Sequence, residues 1–196
     1  MSLLGVGLAI FGLILFLGGL GYHLPEVEAK ETALIRAVQA HTRGIAIGAF
    51  FRTAWILGTT PFVILALASL FFHNSLTALL ASAIYLCAAL AERMIKVAMK
   101  RPRPFEAHPE IVMRQPHPPR DPSFPSGDCL RAWYLAVIIP FLLQLPWPFV
   151  ALGIFLAGLV AAGRIVMGVH YPSDAIAGTG LALLSAGFLI LISVLI

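Results

Sequence analysis

A stretch late in the chain combines an arginine, a histidine and an aspartate at spacings that suit nucleophilic chemistry. It reads RIVMGVHYPSD and runs from Arg164 to Asp174. Pro172 predicts a helix start, which places Asp174 in the first helical turn and His170 immediately before the helix. Asp174 can then accept a hydrogen bond from one imidazole nitrogen and leave the other nitrogen free to attack an electrophile. A lone histidine at such a junction is usually a surface residue, but three ionisable groups between two apolar helices favour a functional site.

Two other stretches have the features of anion sites. The first, KVAMKRPRP, places Lys96 near the last turn of an apolar helix and Arg103 just beyond its end, because Pro102 and Pro104 cannot continue the helix. Its four cations within eight residues repel one another unless an anion lies among them. The alternative is a basic cluster that anchors a helix end to lipid headgroups.

The second candidate anion site, FPSGDCLRA, begins at Phe124 and has the features of a helix start. Ser126 is a natural N-cap, and Gly127 allows a ligand to approach the backbone closely. Free N–H groups and the helix dipole at such a start attract anions, although an ordinary capped helix has the same features. Asp128 adds a negative charge here. The helix N-terminus and the nearby cations favour its ionised carboxylate, so it is predicted to be a poor proton donor.

The elements that position these motifs are predicted to be membrane helices. The 196 residues are 60% apolar and 11% charged, with a mean hydropathy of +0.94, whereas soluble domains have about 25% charged residues. Apolar runs of about 20 residues are typical of spanning helices. No Lys or Arg precedes the first run, which favours a retained helix over a signal peptide. The sequence therefore predicts an all-α polytopic membrane protein, a single domain over residues 1–196, with six transmembrane helices at 2–22, 50–72, 75–98, 127–145, 148–167 and 173–196.

Six spans bring the polar segments 23–49, 99–126 and 168–172 to the same membrane face. Within the first segment, residues 26–43 have apolar side chains at helical spacing and predict an amphipathic helix in the membrane interface, or alternatively a solvated connector. Residues 100–123 hold seven prolines and predict an ordered loop. The three motifs are therefore predicted to meet at one face. The Lys and Arg residues on that face favour the cytoplasmic side of the membrane.

Composition also excludes several classes of function. Cys87 and Cys129 both lie in apolar runs and support neither a disulfide framework nor a metal site. No cluster of carboxylates has the spacing that a Mg²⁺ site requires, and no cofactor is predicted. The net charge of +4 and the pI near 9.4 are better explained by a phosphorylated lipid or an anionic membrane surface than by a nucleic acid.

Together the three stretches resemble the type 2 phosphatidic acid phosphatase (PAP2) superfamily. The signature of that superfamily is K-x6-RP, then PSGH, then SR-x5-H-x3-D. This sequence is similar in order and spacing, with two departures: Gly163 replaces the serine before the arginine, and Asp128 replaces the histidine that protonates the leaving group. The matching residues are Lys96-x6-Arg103-Pro104, Pro125-Ser126-Gly127-Asp128 and Gly163-Arg164-x5-His170-x3-Asp174.

The resemblance implies a metal-free phosphoryl transfer, at one membrane face, on a lipid phosphate or diphosphate that enters from the bilayer. His170 would attack phosphorus and form a phosphohistidine, Asp174 would orient the imidazole, and water would then release phosphate. The implied location is a bacterial inner membrane, where members of the family mostly act on the outer side, contrary to the expectation from charge. The implied phosphate ligands are Lys96, Arg103, Ser126, the Gly127 backbone N–H and Arg164.

Three functions are compatible with this resemblance. The first is a lipid phosphatase acting on a polyprenyl diphosphate, phosphatidic acid, phosphatidylglycerophosphate or a phosphorylated lipid A. Polyprenyl diphosphate is favoured because a diphosphate expels a leaving group that needs no proton from Asp128. The second is a phosphotransferase, in which a hydroxyl group replaces water. The third is a non-catalytic lipid-phosphate binder, which the intact His170–Asp174 pair disfavours. His108 or His117, on the proline-rich loop, is a candidate substitute for the missing proton donor.

Overall fold

A computed structural model describes residues 2–42 and 44–194, and those residues form helices, turns and loops without a β-strand. The all-α prediction is confirmed for this part of the chain. Short 3-10 helices, Leu20–His23 and Ile56–Gly58, follow the first and third α-helices. In chain order the α-helices are α1 (Ser2–Gly19), α2 (Pro25–His41), α3 (Ile45–Trp55), α4 (Thr60–Leu70), α5 (Ser75–Met99), α6 (Pro104–Ala107), α7 (Gly127–Leu142), α8 (Trp147–Val166) and α9 (Pro172–Ser193).

Several of these helices have the length and composition of membrane spans. One apolar stretch of the described residues is bent: it consists of α3, its 3-10 extension and α4, and the two halves meet at an angle of 45°. Helix α7 has 16 residues, fewer than the about 20 of a typical spanning helix. The segments long and apolar enough to cross a membrane without a break are Ser2–His23, Ser75–Ala107, Trp147–Val166 and Pro172–Ser193.

The second predicted span, residues 50–72, is broken into two helices rather than continuous. Thr59 has an extended backbone, and Pro61 follows in the first turn of α4. Because proline has no N–H donor and its ring collides with the preceding turn, it is tolerated at a helix start and not within a helix. Two other predicted segments reach Arg43 and residues 195–196, which lie outside the described residues.

Helices α7 and α9 form the centre of the molecule. Of the four unbroken candidate spans, α9 is the most buried: 67% of the residues in its most apolar stretch are buried. It packs along α1 with backbone against backbone, because a Cβ atom at Gly12 would lie 2.4 Å from the Leu184 nitrogen. It also packs against α5 and α7, and α7 contributes the buried side chains of Tyr134 and Ile138 to the largest apolar cluster. The first turns of α7 and α9 are therefore held in a densely packed core.

Helix α2 lies against the proline-rich loop and gives it an ordered path. The Gln39 side chain donates to the Val112 carbonyl at 2.7 Å and accepts from its N–H at 3.0 Å, as a neighbouring strand would. Arg36 forms an exposed ion pair with Glu110 on the same loop. These contacts with α2 help to order the loop, and the loop contains the short helix α6.

Candidate active site

The turn between α8 and α9 fixes the position of His170. Gly168 has a left-handed backbone with φ of +69°, and a Cβ atom there would lie 2.8 Å from both Gln39 Nε2 and the Val112 oxygen. Beyond it, the N–H groups of Val169 and His170 point back to the Arg164 carbonyl at 3.2 and 3.4 Å. Glycine is required at this turn, and the turn brings His170 next to the start of α9.

His170 faces a carboxylate on one side and a cation on the other. Its Nδ1 lies 3.4 Å from Asp174 Oδ2, and its Nε2 lies 3.1 Å from an Arg103 guanidinium nitrogen. Burial lowers the pKa of the His170 imidazole well below its usual range, and the charges of Arg103 and Arg164 lower it further. The imidazole is therefore neutral at neutral pH. With its proton on Nδ1 facing Asp174, its lone pair lies on Nε2, where it accepts a hydrogen bond from Arg103.

Asp174 is held by the backbone and by a serine that sequence reasoning missed. Its Oδ2 accepts from the Tyr171 N–H at 2.8 Å, in a capping box at the start of α9, and from Ser123 Oγ at 2.5 Å. Ser123 is fully buried and its Oγ is also 3.4 Å from His170 Nδ1. His170 and Asp174 therefore lie close together as predicted, but without a direct hydrogen bond, and Ser123 contacts both of them.

Two of the predicted phosphate ligands, Lys96 and Arg103, are buried and share one carboxylate. Asp121 pairs with the Lys96 ammonium group and accepts from Arg103 at 2.8 Å, while Lys96 also pairs with Glu92 at 2.9 Å. Burial alone would raise the pKa of the Asp121 carboxyl, but Lys96 and then Arg103 hold it below its usual range. Asp121 belongs to none of the three motifs. The only feature of the sequence that could have pointed to it is an acidic residue on the loop between two of those motifs.

Arg164, the third predicted cation, is buried with part of its guanidinium unused. Its Nη2 donates to Gln115 Oε1 at 2.6 Å, and its Nε lies 3.0 Å from Asp128 Oδ2 without hydrogen-bonding geometry. Its Nη1 has no hydrogen-bond partner within the described residues. A buried guanidinium group left without partners is costly, so this edge is suited to receive an anion.

Asp128 lies between two arginines. One of its oxygens faces Arg164, and the other accepts from Arg131 at 2.8 Å. Arg131 is itself anchored through its Nε to the Gly58 carbonyl at 2.5 Å, at the break before α4. Ion pairing on both sides favours the charged carboxylate, as expected from the sequence. Arg131 was missed there, although it follows Asp128 by three positions, the spacing of a helical ion pair. Its contact with Gly58, 73 residues away, has no signal in the sequence.

The start of α7 has the predicted cap. Ser126 Oγ accepts from the Cys129 N–H at 3.4 Å, and the Ser126 N–H donates to the Asp174 carbonyl at 2.9 Å. A Cβ atom at Gly127 would lie 2.8 Å from Glu92 Oε1. Ser126 therefore joins the starts of α7 and α9, and the Gly127 backbone lies close to Glu92, the partner of Lys96.

The two histidines considered as substitute proton donors lie elsewhere on the loop. His108 Nε2 is 3.2 Å from Thr32 Oγ1 on α2, and its ring packs edge-on against Tyr171 at 6.3 Å between centroids. His117 is exposed. Among the described residues, neither histidine forms a hydrogen bond with Asp128.

This arrangement suits a tetrahedral oxyanion held beside a nucleophile. Lys96, Arg103 and Arg164, here named the cation cluster, are 2–3% exposed and surround the imidazole closely enough to depress its pKa. Fixed cations and a helix start stabilise charge on phosphoryl oxygens without rearrangement. In the part of the chain that the structure describes, no three His, Cys, Asp or Glu side chains are grouped to hold a metal ion.

Comparison with known proteins decides the family. A family model of the PAP2 superfamily matches residues 72–195, well over half of the chain. This chain belongs to the PAP2 superfamily. The resemblance inferred from the three motifs is therefore confirmed, and with its long apolar helices the chain is an integral membrane protein.

Individual relatives agree with this assignment. An undecaprenyl-diphosphatase from Sulfolobus acidocaldarius is 37% identical over 95 residues, and the match spans 48% of this chain and 44% of that protein, less than half of its length. The crystal structure of a transmembrane PAP2-type phosphatidylglycerolphosphate phosphatase from Bacillus subtilis has a TM-score of 0.78 at 23% identity, covering 98% of this chain and 96% of that one. LpxE from Aquifex aeolicus has a TM-score of 0.72 at 22% identity, covering 81% and 93%. The last two share the fold.

Proposed function

We propose that this protein is a membrane phosphatase that removes phosphate from a lipid phosphate or diphosphate through a phosphohistidine on His170. The observation that carries the proposal is the buried cation cluster gathered around a neutral histidine whose Nδ1 faces Asp174. An anion binder would need the cations alone, whereas an oriented neutral imidazole is what a nucleophile requires. The activities named for the Sulfolobus and Bacillus relatives are of the same kind.

The chemistry follows from the geometry in two steps. The cation cluster binds the phosphoryl oxygens, and Nε2 of His170 attacks phosphorus in line with the leaving oxygen. The P–N bond forms, the P–O bond breaks, and the leaving oxygen keeps the electron pair. Asp174 stabilises the positive charge that appears on the imidazole. Water then attacks phosphorus, one of its protons passes to solvent, and the P–N electron pair returns to His170.

Asp128 favours a diphosphate substrate. A carboxylate that is paired with both Arg131 and Arg164 is a poor proton donor. A phosphomonoester expels an alkoxide, which needs a proton, whereas a diphosphate expels a phosphate monoester, which leaves without one. We therefore propose a polyprenyl diphosphate as the preferred substrate, in keeping with the name of the Sulfolobus relative. The reaction needs no metal ion, because the cation cluster supplies the positive charge that a metal would otherwise provide.

The proposed membrane arrangement has six spans in a single domain. The bent pair α3–α4 would form the second span and α7 the fourth, with α2 lying in the interface. The ends of α5 and α8 then meet the starts of α7 and α9 at one membrane face, where the site residues lie. The contacts of α2 with the loop, through Gln39 and Arg36, support its placement at that same face.

The test is phosphate release by the purified protein from a diphosphate and a monophosphate of the same polyprenol, with and without EDTA. We expect faster release from the diphosphate and no effect of EDTA. Brief reaction with labelled substrate should trap an acid-labile, base-stable phosphoenzyme, which His170→Ala should abolish together with turnover. Binding without release would support a non-catalytic binder, and transfer to an added alcohol would support a phosphotransferase. Normal turnover by His170→Ala would remove the assigned nucleophile.

A further inference from the structure

A buried arginine connects α2 to the carboxylate behind His170. One terminal nitrogen of Arg101 donates to Asp174 Oδ1 and to Ser173 Oγ, both at 2.7 Å. The other donates to Glu31 Oε2 at 2.8 Å. Glu31 in turn accepts from the Ser173 N–H at 2.5 Å through its second oxygen. A carboxylate from α2 and a carboxylate from α9 are therefore joined through one guanidinium group.

Packing encloses this guanidinium group between two aromatic rings. Arg101 is 5% exposed, and its charged end lies between the rings of Tyr22 and Tyr171, at 4.2 and 3.8 Å from their centroids. Its backbone oxygen accepts from the Ser123 N–H at 2.8 Å. A cation enclosed in this way, with carboxylates on both terminal nitrogens, is committed to its partners. Arg101 thus differs from Arg164, whose guanidinium group keeps a nitrogen without a hydrogen-bond partner within the described residues.

The two oxygens of Asp174 consequently have separate partners. Oδ1 faces Arg101, whereas Oδ2 faces Ser123, the Tyr171 N–H and His170 Nδ1. We propose that Arg101 is a positioning residue, which turns Asp174 so that Oδ2 faces His170, and that Glu31 balances the charge of Arg101. This inference rests on the proposed role of His170 as the nucleophile.

The network predicts opposite electrostatic effects for its two outer members. Replacing Arg101 with a neutral residue removes a cation beside Asp174, so the His170–Asp174 pair binds a proton at a higher pH, whichever of the two groups takes it. Replacing Glu31 removes the anion that balances Arg101, so the pair binds a proton at a lower pH. The other charged groups around the pair are the same in both variants: Lys96 on α5, Arg103 and Asp121 on the loop, Asp128 on α7 and Arg164 on α8.

The experiment is an NMR titration of histidine-labelled protein in detergent, with the His170 signal assigned among the six histidines by its loss in His170→Gln. We expect the midpoint to move up in Arg101→Gln and down in Glu31→Gln. Arg36→Gln is the matched control, because it breaks an exposed contact between α2 and the loop without touching Asp174. Its midpoint should equal that of the parent protein.

Turnover supplies a second measurement. Arg101→Gln should lower kcat roughly 10- to 100-fold with little change in KM, because misplacing an orienting group affects the reacting geometry more than binding. Arg101→Lys, which keeps the charge, should titrate closer to the parent. If Arg101→Gln does not fold, the downward shift in Glu31→Gln still tests the inference. Shifts of the same sign, or none, would overturn it. Opposite shifts without phosphate release would instead contradict the proposed function alone.

Discussion

At the scale of single residues, Asp128 is the position where this chain departs most from the chemistry of its superfamily. The superfamily signature has a proton-donating histidine there, and the structure places a carboxylate between Arg131 and Arg164. A histidine at this point would face two cations and a phosphate group. Its protonation would then depend on the bound substrate, which supplies the balancing negative charge.

We therefore expect Asp128→His to change substrate preference. The variant should gain at least about tenfold in kcat/KM on a polyprenyl monophosphate, because general acids contribute roughly 10²–10⁴-fold where the leaving group needs a proton. On the diphosphate of the same polyprenol it should gain little. The measurement is phosphate release from both lipids by both proteins. An equal gain on the two substrates, or a loss on both, would show that Asp128 does not determine the preference.

Asp121 gives a second prediction for a single residue. Its carboxylate occupies Lys96 and Arg103 where phosphate is proposed to bind, so Asp121→Asn should free both cations for the ligand. We expect inhibition by inorganic phosphate to strengthen about tenfold, since a hydrogen bond to a charged group contributes about 1.5–3 kcal/mol. Glu110→Gln, on the same loop but exposed and paired with Arg36, is the control. Weaker inhibition in Asp121→Asn would mean that Asp121 supports the cations rather than competing with phosphate.

These residues also mark what the sequence could predict about the site. The proximity of His170 and Asp174 was predictable because the two residues are only four positions apart at the start of one helix. Asp121 and Arg101 were missed because their contacts join separate segments: Arg101 meets Asp174 across 73 positions. Glu31 meets Ser173 across 142 positions. No motif or spacing predicts such pairs, because they depend on how the helices pack.

At the scale of helices, the apolar runs predicted where the long helices lie, but not the break before α4. The run from 50 to 72 contains one charged residue, Arg52, so hydrophobicity alone could not show an interruption. The local signal was the sequence Gly58-Thr-Thr-Pro61, in which glycine and proline disfavour a continuous helix. The break matters for the site, because it frees the Gly58 carbonyl that anchors Arg131.

The contact between α1 and α9 was also readable from glycines. Gly5, Gly12 and Gly19 are spaced by seven residues, which places them on one face of α1, and all three are buried. At Gly12 an added Cβ atom would lie 2.4 Å from the Leu184 nitrogen and 2.6 Å from the Gly180 oxygen. Small residues that allow backbones to approach are typical of packed membrane helices. This face of α1 therefore holds α9, which contains Asp174.

Gly12→Ala should consequently destabilise the protein by about 1–3 kcal/mol, because an overpacked contact forces the backbones apart. The measurement is the thermal unfolding midpoint in detergent. Gly7→Ala is the matched control, since nothing lies within 4 Å of a Cβ atom at that position on the same helix. Both changes improve helix propensity equally, so their difference isolates the contact. Equal midpoints for the two variants would show that α1 is not held against α9 in this way.

At the scale of the whole molecule, charge is concentrated at the end that holds the site. Of the 13 Lys and Arg residues, the site and its supporting network take five: Lys96, Arg101, Arg103, Arg131 and Arg164. Six of the remaining eight fall in segments predicted on that same face, and Arg52 and Arg93 lie in predicted spans, near the ends that reach it. The turns at the other end, residues 71–74 and 143–146, contain no Lys or Arg. The five cations of the site are explained by its function. The other eight are the ones to which the positive-inside rule applies, by which short loops rich in Lys and Arg stay in the cytoplasm.

The eight remaining cations therefore favour a cytoplasmic site, and fusion proteins can test this orientation. With six spans the chain would end on the opposite side, so alkaline phosphatase fused after Ile196 should be active and a fluorescent protein fused there should be dark. Fusions after Arg120, on the exposed part of the loop, should give the reciprocal pair of results. An inactive phosphatase with a fluorescent partner after Ile196 would place the site on the outer face. The cations would then serve the phosphorylated lipid itself rather than the orientation of the chain, because short basic loops are otherwise retained in the cytoplasm.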